Sequence, residues 1–154
     1  MEMKYDATVL PKTIARVGKT TDKAYEATCK LLNHKLVIRT PRDTGRAQSG
    51  WNASIGSPDL SERERRTKAG TYPQARTIIN QNNRVFRGLT VSQRGVMTNN
   101  VPYIRFLENG RSDQAPQGWI KLTLIEMFGV FPRHYAAIYA NGYTRDLGGE
   151  TTSL

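Results

Sequence analysis

Between Lys12 and Ile38 small and apolar side chains return every three or four positions: Ile14, Val17, Thr21, Ala24, Thr28, Leu31 and Ile38, apart from a polar Lys35. That period puts them on one face of a helix, so the segment reads as one long amphipathic helix along which the rest of the chain must pack. Gly18 weakens its interior by about 1 kcal/mol relative to alanine. Thr40, standing before Pro41, is pushed out of helical geometry and ends it. The opposite face carries Lys12, Arg16, Lys19, Lys23 and Lys30 against only Asp22 and Glu26. This is either a solvated helix face or a surface turned toward phosphates or an acidic partner.

The run Thr40-Pro41-Arg42-Asp43-Thr44-Gly45-Arg46 is turn chemistry: Pro41 fixes a dihedral, Asp43 can bond nearby amides, and Gly45 can take a positive φ. Ala47, Ser49, Trp51, Ala53 and Ile55 then alternate with Gln48, Asn52 and Ser54, which predicts a strand with one buried face anchored by Trp51. From 56 to 72 the chain is charged and nearly free of apolar residues, so a long mobile loop is expected, with Arg63, Arg65, Arg66 and Lys68 as candidate contacts to phosphate or a partner. Pro73 can open a helix running to about Arg87 on Ala75, Ile78, Ile79, Asn82, Val85, Phe86 and Leu89, weakened by the asparagines at 80, 82 and 83. The competing reading makes Val85 to Val91 a strand. Ser92 to Gly95 turns the chain into a short strand at Val96 to Thr98.

In the next stretch Asn100 can cap a short helix, Pro102 suits its first turn, and Gly110 can end it in the left-handed conformation. Tyr103, Phe106 and Leu107 would share the face that plugs a core, opposite Arg105, Glu108 and Asn109. Gln114-Ala115-Pro116-Gln117-Gly118 redirects the chain into a helix from Trp119 through Leu122, Ile125, Met127 and Phe128. Gly129 and Pro132 must break or kink that helix before a short helical piece holding Tyr135, Ala136 and Tyr139.

These elements give an α+β fold: a long N-terminal amphipathic helix and two or three further helices packed on a small antiparallel sheet, with a long basic loop and extended terminal arms. Residues 1–11 read as an N-terminal arm, 12–140 as a single domain, and 141–154 as a tail suited to lying on a neighbouring subunit. A chain of 154 residues fits that count. No apolar run approaches the roughly 18 to 20 residues of a membrane span, and the N-terminus lacks a signal-peptide core, so a soluble protein made in a cytoplasm is expected. Cys29, the one cysteine, reads as a small structural thiol, and His34 and His134 stand far apart, so no metal or cofactor site is expected. The carboxylates Asp43, Asp59, Glu62, Glu64 and Glu108 offer only a remote nuclease reading, since all but Glu108 fall in turns or the loop. The 23 basic against 13 acidic side chains, net +10, attract polyanions without naming one.

Two motifs together resemble a family. Thr40-Pro41-Arg42-Asp43-Thr44-Gly45-Arg46 with Trp51 downstream is similar to the "TPxDTGxLxxSW" opening of bacteriophage tail completion proteins of the lambda minor tail protein Z type. Asn99-Asn100-Val101-Pro102-Tyr103 through Leu107-Glu108-Asn109-Gly110, then Gln114-Ala115-Pro116-Gln117-Gly118-Trp119, resembles that family's "NNxPYxxxLExG…QAPxGxV" segment. Ala47 stands where the family has a larger apolar residue, Asn109 where an aromatic is common, and the Gly129/Pro132 break is uncommon. The resemblance implies a non-catalytic virion protein of a long-tailed phage, set at the head-proximal end of the tail. It implies a homo-oligomeric ring, six copies being the expected count, between the tail terminator or tube and the head-tail connector. Its basic residues, Arg42 included, would meet genomic DNA in the channel without sequence preference or the acidic surfaces of adjoining rings. A non-specific nucleic-acid-binding protein is the reading of a different class.

Overall fold

The computed structural model describes the backbone of residues 9–62 and 66–146 and the side chains of 11–62 and 66–138. Eight elements follow in order: α1 (Val9–Arg39), α2 (Arg46–Ser49), β1 (Trp51–Ile55), α3 (Ala75–Val85), β2 (Gly95–Asn99), α4 (Ile104–Glu108), α5 (Trp119–Met127) and α6 (Val130–Asp146). The expected α+β class is the observed one: a two-stranded antiparallel sheet, Trp51 paired with Asn99 through Ile55 with Gly95, set against a long helix and its companions. α1 is the spine, against which α3, α5 and α6 all pack. No helix of the described residues is long and apolar enough to cross a membrane.

Boundaries moved where prolines sit. α1 begins at Val9, ahead of Pro11, because a first-turn proline lacks only an amide that has no helical partner anyway. Pro132 plays the same part in α6, so the break lies at Phe128 and Gly129, and α6 continues to Asp146 through positions expected in the tail. The terminal segments 1–8 and 147–154 lie outside the described residues.

The buried stripe of α1 is not the expected one. Ile14 is 62% exposed and Val17 and Ile38 are also exposed, whereas Thr20, Ala24, Asn33, Leu36 and Val37 are buried. Polar Thr20 and Asn33 belong to the true inner face, and hydrophobicity alone assigns them outward.

The predicted strand over Ala47 to Ile55 is likewise divided. Gly45, at φ 94°, reverses the chain. Ser49 N–H then donates to Gly45 O at 2.9 Å and Gly50 N–H to Arg46 O at 3.0 Å, closing the helical turn α2 before β1 starts. Gln48, Asn52 and Ala53 are all buried and Ile55 is exposed, so no one-faced alternation exists. Gln48 enters the interior because its amide donates to Val37 O at 3.0 Å, which offsets the cost of burying it. Gly50 is needed for space, as an added Cβ would stand 2.5 Å from Val101 Cγ2 and 2.7 Å from Asn99 Oδ1.

The main core joins Leu36, Val37, Ala47, Trp51, Ile78, Ile79, Ile104 and Trp119. A second cluster of Ala53, Phe86 and Leu89 lies under Tyr25 and Cys29, with Met97 packed against both. Burial pushes the Cys29 thiol up, in keeping with a packing role. Phe86 and Leu89 reach this cluster from the turn after α3, and the competing strand over Val85 to Val91 is not formed.

Phe106, expected as a core anchor, is 54% exposed and lies under the guanidinium of Arg111 at 5.6 Å. α4 starts only at Ile104, which is buried with Tyr103 and Leu107 half-buried beside it. Phe106 lies about 200° around the helix from Ile104 and so faces outward.

Trp51→Ala and Trp119→Ala should each lower unfolding free energy by about 3 to 5 kcal/mol, and Gly50→Ala should also lower the melting temperature. Phe106→Ala should stay within about 0.5 kcal/mol of wild type. Denaturant unfolding of the four variants checks the ordering.

Candidate functional site

The two motif segments, separated by more than fifty residues in the chain, close on each other. Gln114 Oε1 accepts the Arg42 amide at 2.7 Å, joining the first turn to the second. Thr40 Oγ1 donates to Leu36 O at 2.7 Å and accepts the indole N–H of Trp51 at 2.7 Å, so one hydroxyl ends α1 and seats the tryptophan. Trp51 and Trp119, 4% and 2% exposed, meet edge to face with centroids 6.3 Å apart.

Asn99, rather than Asn100, performs the local bonding expected at this corner. Its Oδ1 accepts Val101 N–H at 3.2 Å, and its Nδ2 donates to Ala47 O at 2.8 Å. Asn100 does not cap a helix: α4 has no side-chain cap, and Pro102 lies in the turn before it. Gly110 does take the left-handed conformation, φ 86°. Glu108 is a cap for the following helix, its two oxygens accepting Ile120 N–H at 2.8 Å and Lys121 N–H at 3.2 Å, while its own carbonyl accepts Gly118 N–H. A carboxylate at those amides also opposes the positive end of the α5 dipole. Ala115 packs on the core. Arg46 pairs with Glu62 and stands over the Tyr103 ring at 5.9 Å, while burial raises the Tyr103 hydroxyl pKa. Asp43 and Thr44 are exposed, Thr44 Oγ1 meeting the Arg46 amide at 3.4 Å.

Behind this joint lies a buried polar network that helix propensity read only as weakness. Asn33 Nδ2 donates to Ile79 O and to Asn83 Oδ1; Asn82 Nδ2 donates to Asn33 Oδ1 at 3.0 Å and to Trp51 O at 3.1 Å. Asparagines at helical spacing beside buried isoleucines were the signal.

The candidate cationic contacts are dispersed. Lys12, Lys19 and Lys23 are exposed along α1, Arg16 is half-buried, and Lys30 pairs with Glu26. The two acids of this helix also reach outward: Glu26, besides pairing with Lys30, accepts Gly88 N–H at 2.9 Å and Asp22 accepts Val91 N–H at 2.9 Å, anchoring the turn after α3. In the basic loop, Arg63 and Arg65 lie outside the described residues, Arg66 stacks on Tyr72 at 5.5 Å, and Lys68 is exposed. Its first part is tied down, with Asn52 donating to Ser61 O and Thr98 to Asp59 O. Among the described residues no group of three or more His, Cys, Asp or Glu could hold a metal ion.

A cavity of about 560 Å³ opens beside the joint, between the end of α1, the 40–42 turn, the 114–116 turn and α5. At its edge Glu126 accepts from Arg39 at 2.8 Å and Lys35 at 3.0 Å. Those bonds, Arg39's first, hold its carboxyl down at about 2.

No family model, no curated protein and no solved structure matches this chain.

Because the folded value for Glu126 lies below the ordinary 4.5, its stabilisation is present above that value and is lost as pH falls through about 2. Glu126→Gln should therefore melt lower than wild type near neutral pH, and the gap should narrow from pH 4.5 toward 2. Paired melting curves across that range measure it.

Proposed function

We propose that this chain is a structural protein of the neck of a long-tailed phage, a tail completion component that assembles as a ring between the tail and the head connector around the DNA channel. The observation that carries the reading is the joint. The two segments resembling the tail completion family are halves of one folded unit, bonded through Gln114 and Arg42 and through Asn99 and Ala47. Their polar groups, Thr40, Asn99 and Glu108 among them, are engaged with the chain's own backbone, which is the work of a module that has to hold shape.

Two surface features fit assembly. α5 leaves Leu124 and Ile125 exposed, and Phe128 just after it is exposed too, the kind of surface a neighbouring subunit covers. Head-to-tail contacts between identical copies close into a ring when the rotation allows. Exposed Lys12, Lys19 and Lys23, with Arg42 and Lys68, supply solvated charge that meets phosphates weakly and lets DNA slide.

Purified particles of the phage encoding this chain should contain it in ring-like copy number at the head-tail junction, by mass spectrometry and imaging. Its absence from particles would overturn the proposal. Neutralising Arg63, Arg65, Arg66 and Lys68 together should leave melting unchanged and reduce assembly or infectivity; normal yield would remove the loop from the reading.

Exposed cations on α1 also favour a nucleic-acid-binding reading, and salt separates the two. The neck protein should bind duplex DNA weakly, with affinity falling steeply as salt rises and reduced further in a Lys12, Lys19, Lys23 triple alanine variant. Tight binding that survives moderate salt would favour the second reading.

A further inference from the structure

We propose that the groove beside the joint receives an extended acidic peptide segment of another polypeptide, with an apolar side chain seated between Ile38 and Leu122 and a carboxylate on Arg42. Ile38 and Leu122 are both half or nearly half exposed on its walls, 52% and 46%, although each is a large aliphatic residue. Arg39 is committed to Thr123 and Glu126. Arg42 is exposed and, among the described residues, its guanidinium makes no ion pair, so the charged lining of Arg39, Arg42 and Glu126 carries a net positive charge centred on Arg42. That charge attracts a carboxylate and repels a basic segment.

The second observation concerns the wall. Gln48 and Trp119 both line the groove, and each holds a buried polar atom with no hydrogen-bond partner among the described residues: Gln48 Oε1, an acceptor, and Trp119 Nε1, a donor. Gln48 is 5% and Trp119 2% exposed, so leaving both unpaired is costly. Both atoms are sealed beneath the wall rather than open to the groove, so the choice of occupant rests on the groups the groove does expose. A nucleic-acid phosphate meets Arg42 but offers no aliphatic side chain to Ile38 and Leu122, which argues against DNA as the occupant. A purely aliphatic ligand leaves the Arg42 charge unmatched. This inference stands whether or not the chain is part of a virion.

The test is titration of the full-length protein with an end-capped octapeptide of alternating leucine and glutamate, followed by calorimetry and by the two tryptophan indole N–H resonances. Binding should shift the Trp119 signal and leave that of Trp51, already bonded to Thr40, in place. Arg42→Glu and Leu122→Asp, both at exposed positions, should melt as wild type and bind at least tenfold more weakly. Lys23→Glu, which changes net charge equally at a distant site, should bind as wild type. Equal loss in Lys23→Glu, equal binding of a serine-glutamate peptide, or an unmoved Trp119 signal would overturn the proposal. So would light scattering showing that the protein self-associates without peptide and that Arg42→Glu and Leu122→Asp abolish it, since the occupant would then be a second copy.

Discussion

The edge-to-face contact of Trp51 and Trp119 brings together parts of the chain that share no local reason to meet. One ring belongs to the first residue of β1 and the other to the first residue of α5. The Trp51 indole is in turn held by Thr40, whose hydroxyl also closes the last turn of α1. Spine, sheet and C-terminal helices thus converge within a few side chains. Aromatic pairs of this geometry contribute about 0.5 to 1.5 kcal/mol beyond the area they bury, but the larger effect here is placement. Once Trp119 is set, Glu108 can reach the α5 amides and Gln114 the Arg42 amide.

A sheet of two strands is marginal in water by itself. Here both faces are supported by asparagines. On one side α3 packs on β1, and Asn82 bonds Trp51 O and Asn33 within a nearly water-free interior. On the other, Asn52 and Thr98 hold the chain at Asp59 to Ser61 against the strands. Each of these bonds demands a particular geometry, so the polar interior gives the α1, α3 and β1 packing a register that aliphatic contacts alone would leave loose.

The cationic excess has a structural origin as well as a compositional one. Asp22, Glu26 and Glu108 are turned onto backbone amides, and Glu126 is shared by Lys35 and Arg39. Lys30 and Lys35 of α1 are paired with Glu26 and Glu126, whereas Lys12, Lys19 and Lys23 stay exposed and Arg42 makes no ion pair among the described residues. Charge therefore remains where a polyanion or an acidic segment can approach.

Much of this architecture was legible in the residues. The long helix with its end before Pro41, the helix on Ile78 and Ile79, the second strand, the Gly129 break and both tryptophan anchors follow from periodicity and from backbone rules for proline and glycine, which act locally. The faces were not legible. Asn33, Gln48 and Asn52 are buried where groups outside their own elements accept their amide hydrogens, and Phe106 is outside because α4 starts two residues after Pro102. The same limit held for the motif residues: their types and order could be read from the chain, but that Asn99 rather than Asn100 does the bonding, that Glu108 caps α5, and that a groove opens beside them depend on where long-range packing sets the backbone. Local rules decide which elements form; only the tertiary contacts decide which side of each element is paired, because a polar side chain is stable inside wherever a distant partner completes its hydrogen bonds.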